Sequence, residues 1–167
     1  MFGLKRQTAK VAHLNVREEK HGEESVVAVD VKIQADVGND FLEALSPGLR
    51  AALYTAEGGQ LKGMEDSYSV LRFPQLSPLD WETPMAGCVL ILHGAKKAND
   101  FGFKGAVSKP LRLDAKEGGT VTITFQVAVH PNEAELGALS SLLGRSTKVS
   151  LRPGAEPADA GEPELES

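Results

Sequence analysis

The chain has one cysteine, Cys88, in 167 residues, which excludes an internal disulfide framework and a cysteine-rich zinc site. No apolar run approaches the ~18 residues that a membrane span needs. The longest, Cys88 to Leu92, suits a buried strand instead. The first residues, Met1-Phe-Gly-Leu-Lys-Arg6, lack an apolar signal core, so secretion by the usual route is not expected. The histidines at 13, 21, 93 and 130 form no HxH or HExxH spacing, so no metal site is expected. GxSxG, GxGxxG and the GxxxxGK[ST] loop are all missing, so no nucleophile elbow or phosphate cradle is indicated. Cys88 reads as an inert buried thiol. No cofactor and no catalytic residue emerges, and the expectation is a non-enzyme.

Charge is present in both signs but unevenly placed. The chain carries 18 basic and 23 acidic residues. Five of the acids (Glu156, Asp159, Glu162, Glu164 and Glu166) lie in the last fifteen residues, with three prolines and no base, so the first 152 residues are electrically balanced. A segment this poor in apolar side chains cannot offset its ordering entropy. The expected organisation is one β-rich domain over 1–152 and a disordered acidic tail over 153–167. Within the body, residues 96–116 carry six bases against two acids.

Period-two alternation dominates the body. Val121, Ile123, Phe125, Val127 and Val129 alternate with more polar neighbours, which predicts a half-buried strand over Thr120–Val129. The preceding Lys116-Glu-Gly-Gly reads as a turn, and Val107–Leu113 as the hairpin partner, an edge or bulged strand because Pro110 lacks an amide donor. A second pair, Ala12–Val16 and Val27–Gln34, flanks Arg17–Glu24, read as a solvated loop. The cluster Glu18, Glu19, Glu23 and Glu24 lacks the alternating spacing of a calcium loop. Asn132-x-x-Glu135 is a capping box for a helix bearing Leu136, Leu139, Leu142 and Leu143. Asp40–Tyr54 reads as two helical turns broken at Ser46-Pro47, with the second helix starting there. Short strands are expected at Ser69–Phe73 and Thr147–Leu151. The fold class is therefore mainly β with minor α. The expected architecture is an antiparallel β-sandwich or a small Greek-key or OB-like barrel with two or three short helices.

The binding signal lies in the basic segment. Phe101-Gly-Phe103 sits among Lys96, Lys97, Lys104, Lys109 and Arg112. Exposed rings in a positive groove hold single-stranded nucleic acid by stacking at ~1–3 kcal/mol per base. The same i, i+2 spacing also suits two core phenylalanines on one strand face.

Several segments carry a resemblance. They are Glu19-Lys-His-Gly-Glu-Glu24 with VVAVDVKIQ, Pro47-Gly-Leu-Arg-Ala-Ala-Leu-Tyr54, Leu71-Arg-Phe-Pro74 with Pro78-Leu-Asp-Trp81, Glu117-Gly-Gly-Thr-Val121, and His130-Pro131 with Leu139…Leu143. Across residues 2–152 the chain resembles an uncharacterised family of small tailed-phage and prophage proteins encoded near early replication and recombination genes. The resemblance implies a phage-encoded accessory of DNA metabolism in the cytoplasm of the bacterial host and supplies no binding residue; the single-stranded nucleic-acid expectation rests on the seven residues above. Two alternatives stand beside it: a module that binds and modulates a host or phage protein, and a structural virion component. No membrane partner is expected, and an edge strand could support a homo-oligomer. The acidic tail looks like those of single-strand-binding proteins, but ends Leu165-Glu-Ser167 without their terminal aromatic or apolar residue.

Overall fold

In the computed structural model, residues 1–56, 68–94 and 100–154 are described. Lys96, Lys97 and residues 155–167, most of the expected tail, lie outside them. The described residues form ten strands: β1 (Leu4–His21), β2 (Glu24–Gly38), β3 (Tyr54–Ala56), β4 (Tyr68–Leu71), β5 (Leu79–Trp81), β6 (Met85–His93), β7 (Phe101–Val107), β8 (Leu111–Ala115), β9 (Thr120–Val129) and β10 (Ser146–Pro153). Three short helices join them: α1 (Asp40–Leu45), α2 (Leu49–Leu53) and α3 (Glu133–Leu142). None is long and apolar enough to cross a membrane.

Six strands close a barrel in the order β2-β1-β10-β6-β7-β9, and the β9–β2 ladder completes the ring. All of these pairings are antiparallel. The barrel form, rather than the sandwich, follows from β9 serving two neighbours on one edge. Its C-terminal end meets β7 at Gly105 and Ala106, while Val121–Thr124 meet β8. β5 then extends the sheet beyond β8, and β3–β4 form a separate ribbon.

Closure buries one face of the six barrel strands over most of their length. Val29, Val31 and Ile33 from β2 meet Val121, Ile123, Phe125, Val127 and Val129 from β9, with Leu90, Leu92, Phe103, Val149 and Leu151 opposite. The Phe2 ring packs edge-on against Phe125, with centroids 5.2 Å apart. The interior is filled with side chains, as narrow barrels require.

Four local expectations change. Arg17–Glu24 is a continuation of β1 and β2 joined by a two-residue turn at Gly22-Glu23, where Gly22 takes a φ of 69°. Of its charges, Arg17 pairs across the ladder with Asp30, and Glu19 pairs with Arg17 on the same strand. Pro110 lies between β7 and β8, and the β9 partner begins at Leu111, where amides are available. The second helix starts after Gly48, whose φ of 91° turns the chain, and so begins two residues beyond Pro47. β10 runs to Pro153, opposite Cys88, one residue past the expected domain end. The capping box at Asn132 and Glu135 forms as expected, both bonds being 2.8 Å.

Candidate functional site

Among the described residues, Phe101 and Phe103 do not form an exposed aromatic groove; Lys96 and Lys97 lie outside that set. Phe101 and Phe103 share the inward side of β7. Phe103 is 4% exposed within the core, so its ring offers no surface for a base, and Phe101 is half-buried against the same core. Lys104 points outward from β7, opposite Val89, which on its other side meets Arg152. Arg112 faces Asp80 at 3.5 Å, and Lys109 lies close enough to Asp30 to favour its ionised form. The described cations are thus spread over the outer wall, two of them beside carboxylates.

The feature that stands out from the barrel is the β1–β2 hairpin. β10 pairs with β1 only over Leu4–Lys10, and β9 pairs with β2 only over Val29–Gly38. Past those points both outer edges of the hairpin have no ladder partner among the described residues. The cause is visible in the sequence of β1. A bulge between Val11 and His13 inserts Ala12, so the inward row passes from Ala9 and Val11 to Leu14 and Val16. Val16 opposes Val29, and Val27 opposes Glu18, all on the face that lines the barrel lower down. At the tip this face has no opposite wall, leaving Val16 55% and Val27 45% exposed. Leu143, bridged to Val11, adds a further exposed apolar side chain beside the base of the hairpin.

The opposite face of the hairpin carries a polar cluster. The Arg17 guanidinium donates to both carboxylate oxygens of Asp30, each at 3.0 Å, and also pairs with Oε2 of Glu19. Oε1 of Glu19 meets Nε2 of His130 at 2.8 Å and Nε2 of His21 at 3.2 Å. Hydrogen bonds from His130, then Arg17, then His21 hold the Glu19 carboxyl down at about 2. One glutamate oxygen and two imidazole nitrogens, all within 4.8 Å of one another, are a donor set that could hold a metal ion. Sequence spacing missed it because His130 arrives from the end of β9, 111 residues from Glu19. Glu19-x-His21 on one strand face was the legible half, once β1 is known to run that far.

A second polar network closes the seam between β1, β10, β6 and β7. The Arg6 amide donates to the Ser150 hydroxyl at 2.9 Å, and that hydroxyl meets His93 Nε2 at 2.7 Å. His93 Nδ1 meets Asp100 Oδ2 at 2.9 Å, and the Gly94 amide donates to Oδ1 at 2.9 Å. Nη1 of Arg6 also lies 3.0 Å from His93 Nδ1, so that nitrogen faces both a guanidinium and a carboxylate. Burial pushes the Asp100 carboxyl up, but the bonds from His93 and Gly94 outweigh it and hold the group below the usual aspartate range. The hydroxyl–imidazole–carboxylate order is that of a serine nucleophile and its base. Here the hydroxyl is 8% exposed and already engaged by a backbone amide. The arrangement latches strands together. Arg6 accepts a left-handed φ of 45° at the β1 bulge to place its amide there, a backbone state that costs ~1–3 kcal/mol.

No protein-family model, no curated protein and no solved structure matches the chain. The functional reading rests on the geometry above.

Proposed function

We propose that this protein is a non-enzymatic assembly module that associates with a second copy of itself through the β1–β2 hairpin. The observation that carries the reading is the β1 edge, without a ladder partner among the described residues, beside the exposed Val16 and Val27. Unpaired strand edges bearing apolar residues recruit another strand unless they are blunted. The edge is self-complementary by sequence. An antiparallel pairing of two β1 strands centred on Val16 sets Val16 against Val16, Asn15 against Arg17, Leu14 against Glu18 and His13 against Glu19. No like charges meet in that register, which favours it. The resemblance to small proteins of tailed phages gives this reading a setting: a component built from repeated copies inside an infected bacterium.

Analytical ultracentrifugation of the full chain tests it. Dimers or larger species are expected at tens of micromolar, and Val16→Lys is expected to give monomers with an unchanged circular dichroism spectrum. A monomer at all accessible concentrations overturns the reading. A salt-sensitive shift of a single-stranded oligonucleotide, lost in Lys104→Glu, would favour nucleic-acid binding on the outer wall instead.

A further inference from the structure

We infer that Glu19, His21 and His130 form a binding site for a divalent first-row transition-metal ion, zinc above all, that ties the hairpin to the end of β9. The inference does not depend on self-association, because the three residues lie on the face opposite Val16 and Val27.

The geometry is close to that of a three-ligand tetrahedral site. Zinc–nitrogen and zinc–oxygen distances of ~2.0–2.1 Å place neighbouring ligand atoms about 3.3 Å apart. Glu19 Oε1 lies 2.8 Å from one imidazole nitrogen and 3.2 Å from the other. The ligand atoms therefore need to move apart by only tenths of an ångström on that side. The two rings meet edge to face, with centroids 5.7 Å apart. Their Nε2 atoms already converge on one oxygen, so an ion would replace two hydrogen bonds with two metal–nitrogen bonds.

The surroundings orient the carboxylate. Asp30 fixes the Arg17 guanidinium through two bonds of 3.0 Å, and Arg17 in turn holds Oε2 of Glu19. Oε1 is left to face the imidazoles. Partners of this kind set the direction of a ligand and alter affinity by 10–100-fold when removed. The same guanidinium opposes a nearby dication, which makes the site one of moderate strength. Two imidazoles with one carboxylate favour zinc, cobalt, nickel or copper over magnesium and calcium, which prefer oxygen. The fourth position stays open to water or a further donor.

The ion would reinforce the Glu19–His130 contact, just beyond the last β2–β9 ladder pair at Val29 and Val129. Glu19 and His21 lie on the part of β1 beyond its β10 partner, and His130 immediately follows β9. A bound ion would restrain the hairpin tip against the barrel rim.

Calorimetric titration of zinc chloride into the chelator-treated, desalted full chain tests the assignment, with cobalt absorption as the coordination readout. One ion per chain is expected, with tetrahedral cobalt bands. Affinity should fall at least about tenfold in His130→Ala and in Glu19→Gln. It should be unchanged in Glu82→Gln, which removes an exposed carboxylate between β5 and β6. Circular dichroism of each variant establishes that the fold is retained. Amide hydrogen exchange at residues 17–27 should slow on adding zinc to the wild type and not to His130→Ala. Absence of saturable binding overturns the inference, as does binding of equal strength in His130→Ala.

Discussion

Gly105 lies so close to Ala128 that a Cβ on the glycine would stand 2.6 Å from the alanine's carbonyl oxygen and 2.7 Å from a methyl of Val127. This is where β7 joins β9 within the barrel ring. A backbone oxygen cannot swing aside as a flexible side chain can. Gly105→Ala is expected to destabilise the protein by about 1–3 kcal/mol through forced strand displacement. Chemical denaturation measures this. Gly102, whose nearest neighbour would be 3.9 Å from an added Cβ, serves as the control.

Tyr54 is fully buried, and its hydroxyl donates to the Lys116 carbonyl at 2.7 Å with the Thr120 carbonyl at 3.2 Å. It pins the turn between β8 and β9 from the side of the β3 ribbon. Tyr54→Phe keeps the ring and removes the donor; both carbonyls keep a backbone amide, so the expected loss is that of one hydrogen bond, about 0.5–1.5 kcal/mol. Thermal unfolding with amide exchange at residues 116–120 reads both the loss and its location.

The Asp100 carboxyl is held below its ordinary value of 3.8 in the folded chain. Its contribution to stability is complete above that value and is lost as pH falls through the lower folded value. Asp100→Asn should therefore be less stable than wild type near neutrality, and the two should converge at the acid end. Urea unfolding across the acid range checks this. Parallel curves would mean that the His93 contact contributes nothing.

Ser150 is expected to resist acylation. A fluorophosphonate probe should leave it unlabelled in the folded protein, because the hydroxyl is covered and held by the Arg6 amide. Ser150→Ala should cost about 1–3 kcal/mol by leaving that amide and His93 Nε2 without their partner. Labelling detected by mass spectrometry would assign the network to catalysis.

The elements legible in the sequence are those whose causes are local. β9 and β2 announce themselves by period two, and α3 by its capping box, because neighbouring residues carry the whole signal. Barrel closure was not legible, because it depends on β9 dividing one edge between β7 and β8. The charged stretch from Arg17 to Glu24 reads as loop by composition. Its charges are compensated by Asp30 and His130, which arrive from elsewhere. Phe101 and Phe103 show the same limit from the other side. Their spacing fits a binding face and a core face equally, and only the curvature of β7 into the ring decides for the core.

Leu4 sits opposite Leu151 on neighbouring staves of the barrel. During synthesis the first stave must therefore wait for the last, and a nascent chain released before β10 has an open wall with its apolar lining facing water. Truncations that remove only a few residues beyond Val149 are then expected to behave as misfolded chains rather than as slightly weakened ones. Linking the start of β1 to the end of β10 and cutting elsewhere would let the ring form in a different order without altering its shape.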